Sequence, residues 1–189
     1  MISGVTRRTA LIGLSAVAAF PVRAETAPAG RPKQDNTEYA ELERPAVFDV
    51  VSTTGSLKET AQKGQELIWH RKGASAERRF QVTNIAIAFL RSETGGQVKM
   101  TFSCTVSSLG YSVDEAKLNV IIRSKGGGAM YTWSLGIAVK CADKNQSLTP
   151  LTQDVPNDIA ANVFTNAGGV EVTEYTEPNF PGVKVQRCG

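Results

Sequence analysis

From Met130 to Cys141 the chain reads MYTWSLGIAVKC, and from Tyr131 onward every second residue is apolar: Tyr131, Trp133, Leu135, Ile137, Val139 and Cys141. A period of two is the geometry of an extended strand, whose side chains point alternately to opposite faces. The same period runs through QVKMTFSCTVSSL (97–109), where Met100, Phe102, Cys104 and Val106 share a face. A chain patterned this way buries one face of each strand against another layer and leaves the other face wet. That is the signature of antiparallel sheets rather than of helices or parallel crossovers.

The rest of the chain follows suit. AVFDVVS (46–52), QELIWH (65–70), RFQVTNIAIAFLRS (79–92), residues 117–124, VEVTEY (170–175) and GVKVQRC (182–188) read as further strands. In 79–92 the apolar phase slips. Phe80 and Val82 fall on even positions, Ile85, Ile87 and Phe89 on odd ones. One extra residue at Thr83–Asn84, a β-bulge, reconciles them. Gly95-Gly96 turns this strand into the next, as in a hairpin, and Gly126-Gly127-Gly128 marks a second turn. YSVDEA (111–116) reads as a turn. Two short helices are expected. In SLKETAQKG (56–64), Ser56 and Glu59 have capping-box spacing and Gly64 stands where such a helix would stop. In DVPNDIAANVF (154–164), Pro156 suits a first turn, Asp158 its positive end, and Ile159 and Val163 stand four apart. The expected fold is therefore all-β and mainly antiparallel: a two-layer β-sandwich of about eight strands with two short helices, with a flattened barrel as the second choice. An immunoglobulin-like spacing is not met, because Trp133 lies only 8 residues before Cys141.

The first residues have a different character. Arg7 and Arg8 precede an apolar run, Ala10 to Phe20, that falls short of the ~20 residues a membrane-spanning helix needs. Val22-Arg23-Ala24 carries small residues at the positions a signal peptidase reads. Residues 1–24 are read as a signal peptide, and Thr6-Arg7-Arg8-Thr9-Ala10-Leu11 resembles a twin-arginine export signal. The polar stretch 25–44, with Pro28, Gly30 and Pro32, is read as a disordered linker, and 45–189 as one domain. A periplasmic or secreted location follows, with no integral membrane segment once the signal is removed.

That reading changes the charge. The whole chain carries 21 Lys+Arg against 18 Asp+Glu, but the leader holds Arg7, Arg8 and Arg23 and no acid, so the remainder is formally neutral. Long-range attraction to nucleic acid is not indicated. It also changes the cysteine chemistry, because an oxidising compartment favours disulfides. Three cysteines leave one thiol over. Cys141 and Cys188 are the expected pair, tying down a C-terminus that would otherwise fray, with Cys104–Cys141 as the alternative.

Reactive groups are sparse. His70 is the sole histidine, which excludes a multi-histidine metal site, and there is no HExxH, CxxC, P-loop or acidic calcium loop. Cys104 or Cys188 with His70 is the one nucleophile–base option, set aside because the first reads as buried and the second as bridged. Glu171, Glu174 and Glu177 could serve acid–base work, but along a strand 171 and 174 face opposite sides. No catalytic residue, metal or cofactor is assigned.

The densest constellation is IWHRKGASAERRF. If 65–70 and 79–92 pair, Trp69, His70, Arg71, Lys72, Arg78 and Arg79 gather around one loop, and four cations beside an aromatic ring could grip a carboxylate, sulfate or phosphate. The plainer reading is a solvated loop with Trp69 in the core. The function expected is that of an exported, non-catalytic binding protein of the bacterial cell envelope, taking an envelope protein or an anionic small or polymeric ligand. Two alternatives stand beside it. One is a structural or assembly subunit that uses a sheet edge. The other is a glycan-active hydrolase whose carboxylates meet only in the fold.

Overall fold

A computed structural model describes residues 37–52, 55–61, 64–94 and 96–189. The leader 1–24, the first part of the expected linker and Gly95 of the expected Gly-Gly turn lie outside the described residues. The elements are β1 (Thr37–Leu42), β2 (Ala46–Ser52), β3 (Leu57–Thr60), β4 (Leu67–Arg71), β5 (Ala74–Arg91), β6 (Val98–Ser108), β7 (Tyr111–Ser124), β8 (Ala129–Val139), β9 (Gln146–Ser147), β10 (Leu151–Val155), α1 (Asn157–Asn166), β11 (Ala167–Glu174) and β12 (Val183–Arg187). The protein is mainly antiparallel β, as the alternation requires. No helix of the described residues is long and apolar enough to cross a membrane.

Several expectations are corrected. Twelve strands are present among the described residues rather than eight, and they form one connected network of pairings. Residues 57–60, expected in a helix, form β3, because pairing on both sides, with β2 and with β5, outweighs a local capping signal. A single helix, α1, is found among the described residues. β1 lies inside the stretch 25–44 read as linker. Its six residues are too short and too acidic to announce a strand, yet they pair with both β12 and β4. Residues 111–116, read as a turn, are the start of β7.

Two long hairpins frame the network. β5 pairs with β6 from Phe80–Ser108 to Arg91–Val98, and β7 pairs with β8 from Val113–Val139 to Arg123–Ala129. Each long strand changes partner along its inner edge. β5 bonds β4 up to Val82 and β3 from Ala88 onward. β7 bonds β12 at Tyr111 and Ser112, then β11 from Leu118 onward. β3, β2 and β11 bridge one half of the hairpins, and β4, β1 and β12 bridge the other, so the circuit of pairings closes on itself.

A bulge marks each change of partner. In β5 the register shifts between Thr83 and Ala86, and Asn84 takes a positive φ of 51°, which Asn tolerates better than most residues. This is the expected bulge. In β7 the shift lies between Val113 and Ala116, across Asp114 and Glu115. A bulge bends its strand and increases the twist, so one strand can belong to both halves of the circuit. The apolar phase slips at both places, and both phases end in a single core that includes Phe48, Trp69, Phe80, Ile87, Met100, Phe102, Leu118 and Ile122. α1 supplies Ala160, Val163 and Phe164 to that core.

The C-terminus is anchored as expected. Cys141, just past β8, is disulfide-bonded to Cys188, just past β12. Cys104 is a free, buried thiol.

Candidate functional site

β4 and β5 form the hairpin expected from IWHRKGASAERRF, closed by a turn in which Gly73 has a φ of 74°. The six residues singled out there divide into two sets. Trp69, His70 and Arg79 are buried, whereas Arg71, Lys72 and Arg78 are exposed.

Trp69 belongs to the core. Its ring stacks on Phe80 with centroids 4.5 Å apart, and its indole N–H donates to Glu174 Oε1 at 3.2 Å. The other oxygen of Glu174 accepts the backbone N–H of Leu42 at 3.2 Å. Glu174 thus fastens β11 to β1 and β4 at the place where the inner edge of β7 changes partner. Burial raises its carboxyl above the ordinary value, and the two donated hydrogen bonds pull the other way. At the corresponding place on β5 the fastener is neutral: Thr60 Oγ1 donates to the carbonyl of Ile87 at 3.2 Å and accepts its N–H at 3.3 Å.

His70 places Nε2 3.0 Å from Glu43 Oε2. That hydrogen bond holds Glu43 below its ordinary value. His70 Nδ1 is buried with no partner among the described residues. Arg79 lies between Glu38 at 2.6 Å and Glu77 at 3.0 Å, with its guanidinium 4.2 Å from the centroid of the Tyr111 ring. On the surface, Arg71 pairs with Glu77 at 3.5 Å, and the Gly73 N–H donates to Glu41 Oε1 at 2.9 Å. The hairpin does gather the four cations. It also gathers Glu38, Glu41, Glu43 and Glu77; Arg71 and Arg79 are ion-paired within that set, whereas Lys72 and Arg78 form no ion pair among the described residues. Three of those four acids come from β1 and the residues just after it, a stretch whose proximity only the fold reveals.

The remaining reactive groups are occupied structurally. Glu171 forms an ion pair with Arg123, whereas Glu174 accepts from Trp69 and Leu42. Glu177 accepts a hydrogen bond from Tyr175, which raises the phenol above its ordinary value. Burial pushes the Cys104 thiol up to about 11, which leaves little thiolate at neutral pH. Among the described residues no group of three His, Cys, Asp or Glu side chains is placed to hold a metal ion.

Among the described residues, two of the depressions have a mixed lining of charged and apolar groups. One, of about 430 Å³, lies beside the end of the β5–β6 hairpin, with Arg91 and Lys99 set against Glu93 and Asp154. The other, of about 270 Å³, has Lys117 and Lys184 set against Glu115 and Glu177, with Tyr175 and Phe180 as its apolar wall. Both mix charges of each sign, and neither contains a histidine or cysteine.

A further feature is a strand edge. β8 is eleven residues long and, among the described residues, pairs with β7 alone. Its sequence, AMYTWSLGIAV, contains no charged residue and no proline. Such an edge presents a row of unpaired backbone donors and acceptors to any strand that approaches. The alternation legible in the sequence located the strand but not its place at the margin of the sheet. Set against known proteins, the chain matches no family model, no curated protein and no solved structure.

Proposed function

We propose that the protein is an exported, non-catalytic interaction protein of the bacterial cell envelope that engages a protein partner by strand addition along β8. The observation that carries this reading is the long unguarded edge. Natural sheets blunt their margins with lysine, proline, bulges or very short strands; β8 has no charge and no proline, its one register shift lies at its first residues, between Ala129 and Tyr131, and the regular edge from Tyr131 onward is suited to pairing. The Cys141–Cys188 bridge fits an oxidising compartment, and the leader read in residues 1–24 supplies a route to it. A two-layer sandwich remains the simplest description of how the paired strands enclose their core.

The test uses the full chain expressed in a bacterium, with a photoreactive residue at Thr132 on the outer face of β8 or at Thr152 on β10. Irradiation is expected to give an adduct of defined mass from position 132 and none from 152. No adduct at 132, or equal yields from the two positions, would overturn the reading.

A second reading keeps the hairpin tip as an anion site. It is favoured by Lys72 and Arg78, which are exposed and form no ion pair among the described residues. Replacing both with Ala should abolish binding to a sulfated polysaccharide column if the tip is used.

A further inference from the structure

We infer that the strand added to β8 is the β8 of a second copy of this chain, laid antiparallel about a two-fold axis through Ser134. The inference rests on the strand-addition reading above and names its partner.

An axis through Ser134 sets Tyr131 opposite Ile137, Thr132 opposite Gly136, Trp133 opposite Leu135, and Ser134 opposite itself. The regular stretch from Tyr131 to Ile137 is then used, over about 24 Å of edge at ~3.4 Å per residue. The apolar face stays continuous. Trp133 and Leu135 are each 7% exposed, whereas their partners on β7, Val120 and Leu118, are at 0%. Trp133 and Leu135 are both buried, and the little of each that stays open would be covered by the same two side chains of a second copy. Cross-strand aromatic–aliphatic pairs of this kind are favourable.

The outer face is equally self-compatible. Thr132, Ser134, Gly136 and Ala138 carry no charge, so nothing in this row repels its own image. Glu115, from the bulge in β7, lies across Gly136: a Cβ at that position would stand 2.6 Å from Glu115 Oε1. Glu115 forms no ion pair among the described residues, and the residue brought opposite Gly136 is the second copy's Thr132, whose hydroxyl can donate towards that carboxylate. The end charges select the direction. Antiparallel pairing sets Lys140 beyond the strand against Gly128 of the turn, whereas parallel pairing would set Lys140 against Lys140. Beyond residue 24 the chain is formally neutral, so two copies meet without net repulsion. A foreign strand would have to match this length and pattern, whereas a second copy matches both by construction.

The test is the solution mass of the oxidised protein by sedimentation equilibrium, for wild type, Ser134→Lys, Ser134→Glu and a β10 control, Thr152→Lys. Ser134 is exposed, so its variants are expected to keep the wild-type melting temperature. Wild type and Thr152→Lys should reach twice the monomer mass as concentration rises. Each Ser134 variant alone places like charges at the axis and should associate at least tenfold more weakly, and an equimolar mixture of the two should recover the dimer. A wild type that stays monomeric, a Ser134→Lys protein that associates like wild type, or a mixture that fails to recover would each overturn the inference. The photoadduct at Thr132 separates this failure from that of the parent reading. Twice the chain's mass supports the dimer, another mass defeats the dimer and keeps strand addition, and no adduct defeats both.

Discussion

The network of strands ends in two margins, and they are built differently. β10 is five residues long, carries Asp154, and is bracketed by Pro150 and Pro156. Proline cannot donate to a ladder, and a charged residue resists desolvation, so this margin discourages a further strand at both ends and in the middle. β8 is more than twice as long and has neither proline nor charge. The two also differ in what they contribute inward. β8 sends Trp133, Leu135, Ile137 and Val139 into the core, while β10 sends Val155 and only partly buries Leu151. A margin that is integral to the core cannot be mutated freely to guard it, because half of its positions are committed to packing. The outer positions could have carried lysine at little cost, and they do not. That is the sense in which the openness of β8 reads as used rather than tolerated.

The two margins differ most at the disulfide. Cys141 stands just beyond β8 and bonds to a residue just beyond β12, whereas neither end of β10 is cross-linked. The bridge closes a loop with a sequence separation of 47, worth about 4 kcal/mol through the entropy of the unfolded chain. Replacing Cys141 and Cys188 together with Ala should lower the free energy of unfolding by about that amount in a denaturant titration. It should also speed amide exchange near Val139 while leaving β10 unchanged. Equal acceleration in the two strands would mean that β8 is not anchored separately.

Side-chain truncation sharpens the contrast at the next level. Trp133→Ala leaves a cavity in the core and should cost about 3 kcal/mol, the lower part of the range for buried aromatics, because the side chain sits at the margin. Leu151→Ala on β10, half-buried, should cost roughly 1 kcal/mol. Similar denaturant midpoints for the two variants would erase the distinction drawn between the margins.

The smallest expected effect is on pH, and it belongs to neither margin. Glu174 is held above its ordinary value of 4.5 chiefly by burial. A carboxyl raised in the folded state stabilises the fold while protonated, in full below its unfolded value, and that contribution is lost as pH rises through the folded one. The stability of wild type relative to Glu174→Gln should therefore fall as pH increases from about 4.5, by an amount under ~1 kcal/mol once the partial exposure of the group is allowed for. Glu43 has the opposite sign, since His70 lowers it, and its contribution is lost at acid pH. Measuring unfolding at several pH values for both proteins checks the direction. A flat difference would mean that Glu174 is not buried as described.

Much of the fold is legible in the residues. The alternation from Tyr131 to Val139 places β8 within a residue or two, and the phase slip at Asn84 announces the bulge found there. The second bulge carries the same signal, odd at Tyr111 and Val113 and even from Ala116 to Ile122. It was obscured because Asp114 and Glu115 in its middle look like turn residues. β3 and β1 were hidden for a related reason. Strands of four and six residues show too few alternations to outvote local signals, and what stabilises them is a partner on each side. The constellation around Trp69 was read as basic because its cations are adjacent in the chain, whereas Glu38, Glu41 and Glu43 arrive from a strand more than twenty residues earlier.

Local chemistry was enough to give the class of structure and to favour the buried solitary thiol and the bridge at the C-terminus, since each depends on periodicity or on the position of a residue along a strand; the alternative Cys104–Cys141 pairing was excluded only by the fold. Which strands lie side by side was another matter. The acids set around the hairpin, the carboxylate under Trp69 and the unpaired length of β8 all follow from pairings between distant segments. Backbone hydrogen bonds carry no residue identity, so no pattern within one strand says whether its outer edge will meet a neighbour.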